Sequence, residues 1–483
     1  MAEERYRQYL AALKTNYVKV AKLDFLNPDM SVAFSLGSNP RDKKAGAFLQ
    51  SGTLNCNLNN GRRRQATITL ANIDKQFEFA VNKVWLGQLI RLSEGLILPD
   101  GTGFYLPQGV FAIESPEETI RPNQDTVTYH LVDKWALLDG TLGGNLEGAY
   151  SVKAGTNIFE AMASLLRLGR FDMENDSPNP IDPVSPLFTS YYNGKKQMLT
   201  DGTEVNLIDA PHDFISADTG TLADVELGLA KMLAAWIGYN QSGRLTVDPS
   251  QDDILDTTKP VLWEFKAGDS QKIEVSYQGR PAELYNDLIV AGATSDTNAT
   301  AKGRAQNRDP SSDTCISRIG LKTKRILMQN YYSDDICEAY AEWQLKRAAV
   351  MSKSVTIKCT QMFHIVENGI ITIQRDDKPG NPVERHLVQG FSRPIGQTGP
   401  MTINAISVLD FPVATIVPER YVATFVFVSE NGNRRTYLAT MSDGEEYNVE
   451  FEVNAVTGML SQIIPEGYRG PKFSVINGHL EEA

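Results

Sequence analysis

Apolar and polar residues alternate at period two along much of this chain, the pattern of strands with one buried face. In Ala66–Leu70, Ile68 and Leu70 alternate with Thr67 and Thr69, and in Thr126–Val132 the residues Val127, Tyr129 and Leu131 share a face. Near the C-terminus, Tyr447, Val449, Phe451 and Val453 alternate with Asn448, Glu450 and Glu452. Turn-forming pairs such as Asn60-Gly61 and Asp100-Gly101 punctuate the early runs, as expected of an antiparallel barrel or sandwich. After a short N-terminal helix around Glu4–Leu13, residues up to 145 therefore read as one β domain.

From 146 the texture becomes helical. Asn157, three residues before Glu160, opens a helix that Gly169 stops after Leu168, with Ile158, Met162, Leu165 and Leu166 as its buried stripe. Beyond a Pro-rich passage (Ser177 to Pro186), a second helix is expected over Thr221–Ile237, with Val225, Leu229, Met232, Leu233 and Trp236 at helical spacing. Residues 146–265 thus form a helix-containing insert. Strands resume near Ile273, and the polar stretch Gly292–Thr314 reads as a loop outside the core. A third helix, Ser333–Ala349, takes Ser333 as N-cap, with Asp334 and Asp335 in its first turn and Lys346 and Arg347 in its last. Strands follow at Ser354–Cys359, Ile370–Ile373 and Thr402–Leu409, and Tyr421–Val428 belongs to a small C-terminal β module, 416–483.

The first and third segments echo one another. Gly87-Gln-Leu-Ile-Arg-Leu, a loop and Leu106-Pro-Gln-Gly109 are matched by Gly369-Ile-Ile-Thr-Ile, a loop and Leu387-Val-Gln-Gly390. Each copy would be a hairpin whose glycines permit tight turns or bulges. The expected fold is α+β and mainly β. Two similar antiparallel β-barrel domains, 1–145 and 266–415, flank the insert, and the C-terminal module follows.

Hydrophobic residues make up 42% and charged residues 22% of the 483, which describes a globular chain. A formal charge of -12 argues against an adhesive surface for DNA, RNA or anionic lipid. The basic run Arg62-Arg63-Arg64, following Asn59-Asn60-Gly61, reads as a solvated hairpin tip. No apolar stretch of roughly 18 residues exists and the N-terminus lacks the apolar core of a secretion signal, so neither membrane insertion nor classical export is expected. Cys56, Cys315, Cys337 and Cys359 are too scattered for a metal or redox pair and read as reduced, mostly buried thiols, with Cys359 on the face of Val355 and Ile357.

Catalytic signatures are missing. The chain has no HExxH, no GxxxxGK[ST], no GxSxG and no DxDxDG. Gly101-Thr-Gly103 sits in a hairpin loop with no helix behind it. The histidines His130, His212, His364, His386 and His479 include no close pair that would clasp a metal, although His364 and Glu367 are spaced three apart. That segment precedes the Gly369 turn, so His364 reads as a turn or interface residue. Pro211-His212-Asp213 reads as a polar loop. No catalytic, cofactor-binding or metal residues are assigned, no cofactor is expected, and the chain is not expected to be an enzyme.

The order of features resembles the tail hub family of phages and related contractile injection machines. The segments that carry the resemblance are Tyr17–Phe25, Gly52–Asn57, Ala66-Thr-Ile-Thr-Leu-Ala-Asn-Ile-Asp74, Gly87–Leu92, Gly109-Val-Phe-Ala-Ile113 and Thr128-Tyr-His-Leu-Val-Asp-Lys-Trp135. To them are added Ala339-Tyr-Ala-Glu-Trp-Gln-Leu345 and Asn368–Ile373. The resemblance implies a structural virion protein: a homotrimer whose six similar barrels continue the sixfold tail tube and present a threefold face to the tail tip. It also implies as partners the tail tube or distal tail protein, the tape-measure protein and a central spike or fibre, with assembly in the host cytoplasm. An acidic chain suits a conduit that DNA traverses without sticking. The alternatives are a wall-degrading enzyme concealed in 146–265 or 416–483, and a glycan-binding receptor protein that uses Tyr191-Tyr192 or Tyr331-Tyr332.

Overall fold

The alternating segments are strands, and they carry most of the chain. The computed structural model describes residues 2–39, 48–58, 61–72, 75, 77, 84, 87–122, 125–168, 194–199, 202–233, 235–249, 259–278, 284–294, 300–310, 312–328, 331–349, 354–408, 422–441, 446–453, 460–464, 473–476 and 479–482. The Pro-rich passage at 177–186 and Tyr191-Tyr192 lie outside them. Helix α1 (Ala2–Ala12) precedes β1 (Lys19–Leu26), β2 (Val32–Gly37), β3 (Leu49–Asn57), β4 (Arg64–Ala71), β5 (Leu89–Ile97), β6 (Gly103–Thr119) and β7 (Thr126–Asp133). Ala66, Ile68 and Leu70 of β4 and Val127, Tyr129 and Leu131 of β7 are buried as their alternation predicts, and the two strands pair with one another.

The insert holds β8 (Ser151–Val152), α2 (Ile158–Leu168), β9 (Lys196–Met198), β10 (Glu204–Asn206), β11 (Phe214–Ile215), α3 (Leu222–Met232), β12 (Ala235–Tyr239) and β13 (Leu245–Pro249). Asn157 caps α2 as expected, its Oδ1 accepting from the Phe159 and Glu160 amides at 3.0 and 3.3 Å. Thr221 and Asp224 form a capping box at the start of α3. The expected helix to Ile237 is too long. It ends at Met232, and Trp236 and Ile237 lie instead in β12, which pairs with β13 through a turn whose Gly243 has φ +74°. The alternation of Ala235, Ile237 and Tyr239, together with the hairpin turn, outweighs the helical spacing of the apolar residues.

The later chain runs β14 (Val261–Phe265), β15 (Lys272–Gln278), β16 (Asp287–Thr294), β17 (Thr300–Gln306), α4 (Ile316–Ile319), β18 (Thr323–Leu327), α5 (Asp334–Ala349), β19 (Ser354–Cys359), β20 (Ile370–Gln374), β21 (Val383–Ile395) and β22 (Met401–Val408). The polar stretch 292–314 is not a loop outside the core. It contains β17, which pairs with β16 and buries Ala301 and Ala305 beneath α5. Small residues account for the miss: β17 has little apolar bulk to signal burial, because α5 approaches its backbone closely. Ser333 precedes α5 as predicted, but its Oγ has no hydrogen-bond partner among the described residues. The adjacent Asp334 instead accepts from the Lys302 amide at 2.8 Å. The C-terminal strands β23 (Val422–Asn431), β24 (Arg434–Met441), β25 (Glu446–Val453) and β26 (Leu460–Gln462) form a separate four-stranded sheet, followed by the hairpin β27 (Phe473–Ile476) and β28 (His479–Glu482).

Thirteen strands join into one sheet, in the order β15-β19-β22-β21-β3-β4-β7-β6-β5-β1-β2, with β20 against β21 and β14 parallel to β20. Within it the same antiparallel five-strand unit, called a meander below although its second strand borders the fifth and not the third, occurs twice, as β3-β4-β7-β6-β5 and as β15-β19-β22-β21-β20. Even the irregularities recur. The first strand of each copy bulges at Gln50 and Ile273, and the fourth bulges against the fifth in sequence at Glu114 and Gln389. The duplication expected from the sequence is therefore present, although the echo that suggested it is six residues out of step. The ladders equate Ala112, opposite Leu89, with Leu387, opposite Ile370, whereas the echo set Leu106 against Leu387. The two copies also do not form separately closed barrels. β21 runs past the end of β20 and pairs with β3, so the meanders fuse into one continuous path that, among the described residues, is not closed on itself.

Gly303 marks the closest approach of α5 to β17, because a Cβ there would lie 2.3 Å from both the Cys337 carbonyl carbon and the Glu338 nitrogen. Gly303→Ala is expected to cost about 1–3 kcal/mol of stability, read as a lowered urea midpoint at an unchanged slope.

Candidate functional site

The most unusual chemistry in the described chain is a buried ionic joint where the two meanders meet. Arg64 begins β4 on the same face as Ala66, Ile68 and Leu70, and this alternation carries its guanidinium into the interior. It pairs there with Glu367, which lies in the turn before β20, and its Nη1 donates to the Gln108 carbonyl at 2.9 Å. The Cys56 thiol donates to the same Glu367 carboxylate at 3.3 Å. A second pair runs in the opposite sense. Arg393 of β21 donates through Nε to Glu94 of β5 at 2.9 Å, and also hydrogen-bonds Gln108 Oε1 and the Met362 carbonyl. Gln108 links the two pairs and donates through Nε2 to the Phe363 carbonyl at 2.9 Å.

Each meander thus contributes one arginine and one carboxylate, all four essentially buried. Burial pushes the Glu367 carboxyl up, but the charges of Arg64 and Arg63 and the Arg64 hydrogen bond outweigh it, and the group ends below the usual carboxylate range. Burial prevails at Glu94, whose pKa stays raised despite Arg393 and Lys19. Burial also raises the Cys56 thiol well above its ordinary value, so it is no nucleophile.

Helix α1 closes the joint from one side. Tyr9 is fully buried; its hydroxyl meets His364 Nδ1 at 2.9 Å and accepts from the Phe363 amide at 2.9 Å. His364 Nε2 lies 3.2 Å from the Leu262 carbonyl, beside β14. His364, expected as a turn or interface residue, lies in a turn between β19 and β20, against Tyr9 of α1 and Leu262 of β14. With Glu367 committed to Arg64, the two residues form no metal clasp, and among the described residues no group of three His, Cys, Asp or Glu side chains could hold a metal.

The arginine run is not a solvated tip. Arg62 pairs with Asp139 at 2.8 Å and with Glu114 at 3.3 Å. Arg63 is 2% exposed at its side chain and reaches the insert, meeting Asp248 at 3.2 Å and Thr246 at 3.1 Å across Gly238, where a Cβ would collide with it. Asp133 fastens the run from beneath by accepting the Arg63 and Arg64 amides at 2.8 and 2.9 Å. Three consecutive cations therefore serve the first meander, the insert and the second meander in turn. The period-two pattern held the missed signal, since extending the buried face of β4 back from Ala66 points Arg64 inward.

The other sequence candidates are dispersed. All four cysteines are free and buried, as expected. His212 stacks on Tyr332 with ring centroids 3.4 Å apart, while Asp213 is held by Lys153 and the Ala154 amide, both at 2.8 Å, so they form no acid-base pair. Tyr331 is buried against Tyr340, so Tyr331-Tyr332 is not an exposed aromatic pair of the kind a glycan-binding reading needs, while Tyr191-Tyr192, the other pair it drew on, lies outside the described residues. Gly101-Thr-Gly103 is the β5–β6 hairpin loop, with Gly101 at φ +81°. No helix among the described residues is long and apolar enough to cross a membrane.

No family model matches the sequence, and no curated protein matches it either. Solved structures do match the fold. The tail protein from Neisseria meningitidis aligns with a TM-score of 0.51 at 10% identity, over 82% of this chain and 98% of that one. A 43 kDa prophage tail protein from Shewanella oneidensis and a prophage tail protein from Listeria monocytogenes align more loosely. Both have TM-scores of 0.45, at 11% and 8% identity, over 80% of this chain and 98% and 94% of theirs. The fold of this chain is the fold of the Neisseria tail protein, which agrees with the resemblance read from the sequence.

Glu367→Ala leaves Arg64 buried without its counter-charge and is expected to cost about 3–5 kcal/mol in urea unfolding, whereas Arg64→Met/Glu367→Leu together should cost clearly less. His364, its pKa lowered by burial to about 4, takes up a proton near pH 6.5 when unfolded but only near 4 when folded. Its contribution is complete above pH 6.5 and is lost as the pH falls, by about 2 kcal/mol at pH 5. His364→Gln should shrink the stability difference between pH 7 and pH 5 by that amount.

Proposed function

We propose that this chain is a structural tail protein, the hub at the end of a phage-type tail tube, which adapts a sixfold tube to a threefold tip. The observation that carries the reading is the five-strand meander present twice and fused into one sheet. Three such chains hold six copies of one unit, which suits a sixfold face on one side and a threefold face on the other. The tail-protein fold supports the same reading. The domain division that goes with it is 1–145, 146–265, 266–415 and 416–483, with the two duplicated parts forming the ring and the other two facing outward or toward the tip.

In this reading the partners are two further copies of the chain, the tail tube or distal tail protein, the tape-measure protein and a central spike or fibre. The chain resides in the virion tail, and DNA passes through the ring without lasting contact, consistent with a formal charge of -12. The role is mechanical and requires no catalytic group. Light scattering on the purified chain should give three times its 53.4 kDa, about 160 kDa, with a threefold ring around a central channel in negative stain. A compact monomer that clears purified cell wall would overturn the reading.

A further inference from the structure

The two meanders are equivalent strand for strand, yet only one of the two equivalent junctions between meanders is made within the chain. Residues Gly390–Ile395 of β21, beyond the end of β20, pair with Gly52–Asn57 of β3. The counterpart of β21 is β6, which likewise outruns its partner: β5 covers it only as far as Ala112, and β7 pairs on the other side as far as Thr119. Among the described residues, the side of β6 facing away from β7 therefore has no partner over residues 115–119. The counterpart of β3 is β15, which among the described residues pairs with β19 alone and ends the sheet. Among its described residues each chain thus carries one β6 extension and one β15 edge without a strand partner. The first is exposed at Ser115, Pro116, Glu117 and Glu118, with Ile120 beyond it 64% exposed; the second exposes Ile273 at 60%.

We infer that the β6 extension of one copy pairs antiparallel with the β15 edge of the next copy, reproducing between chains the β21–β3 junction made within each. The inference rests on the trimeric reading above and specifies the interface that closes it. The shared bulges fix the register. With Glu114 matched to Gln389 and Ile273 matched to Gln50, the pairing of Arg393 with Leu54 and of Pro394 with Thr53 becomes Glu118 opposite Tyr277 and Thr119 opposite Ser276. Ile120 then falls opposite Val275, covering an apolar side chain that the single chain leaves in water. Unpaired edges invite indiscriminate association, and β6 is guarded in ways suited to a specific partner. Glu117 and Glu118 repel a second β6, and Pro116 offers no N–H toward the open side, so pairing there lacks one ladder bond. Head-to-tail pairing of this kind closes into a ring if the rotation per chain allows it.

The pairing is tested by disulfide trapping in the full chain, whose four native thiols are buried. Thr119 and Ser276 correspond to Pro394 and Thr53. Pro394 has no N–H to donate, so this is a non-hydrogen-bonded pair with closely spaced Cα atoms, about 4.5 Å, within disulfide range. Thr119→Cys/Ser276→Cys, oxidised mildly, should give covalent dimers and closed trimers on non-reducing gels. A mixture of the two single variants should give only heterodimers, and neither single variant alone should cross-link. Thr119→Cys/Gln278→Cys, two residues out of register, should cross-link at least tenfold less. Light scattering on the same samples separates the two readings. A 160 kDa particle whose Thr119→Cys/Ser276→Cys form stays uncrosslinked, or cross-links no better than the shifted pair, overturns this interface while leaving the trimer. A monomer without cross-links overturns both.

Discussion

The joint between the two meanders is where this structure is decided. β21 and β3 belong to different copies of the repeat and lie more than 300 residues apart in sequence, and their pairing turns two small sheets into one. Backbone ladders alone specify register poorly, because neighbouring registers satisfy the same amides and carbonyls. Side chains break the degeneracy here. A slip of one residue would turn Arg393 away from Glu94 and leave two charges buried without partners. Arg64 and Glu367 impose the same constraint from the other direction. Such pairs add little stability compared with a well-packed apolar core. Their effect is to make the wrong alignments costly, which matters most in a sheet assembled from two nearly interchangeable units.

Much of this architecture was legible in the sequence. Period-two alternation found β4, β7 and β19 because each of them mostly buries one face. The Asn157 cap found α2, and apolar spacing found α3, one of whose first free amides Thr221 caps. The failures have local causes. α3 was extended through Trp236 because Val225, Leu229, Met232, Leu233 and Trp236 fit a helical stripe, and that count ignored the hairpin turn at Gly243. β17 was missed because close packing under a helix selects glycine and alanine, which look like loop residues when only apolar bulk is counted. The duplication was inferred from a similarity that the ladders place six residues away, so what the sequence displayed was a recurring strand-loop-strand texture.

The joint itself was hidden for a different reason. Arginine beside glycine in a turn usually marks solvent, and composition offers no sign that three successive arginines are addressed to three different bodies. Only the phase of β4 separates Arg64 from its neighbours, and that phase has meaning once the strand is known to start at residue 64. Glu367, Glu94 and Arg393 are scattered through the sequence, and no spacing rule joins them. Long-range ion pairs become visible only when topology has brought their strands together.

An acidic protein built on an open sheet has to keep its edges unpaired until the correct partner arrives. The β6 extension meets this requirement with Glu114, Glu117 and Glu118 along its exposed length and with Pro116 interrupting the run of donors. Its counterpart within the chain, the end of β21, needs no such protection because β3 is always at hand, and it carries Phe391 and Arg393 facing the interior. The two copies of the meander have diverged where one makes its junction within the chain and the other, among the described residues, has no strand partner. Divergence of that kind lets a single duplicated chain combine a covalently enforced joint with an edge that remains available for assembly.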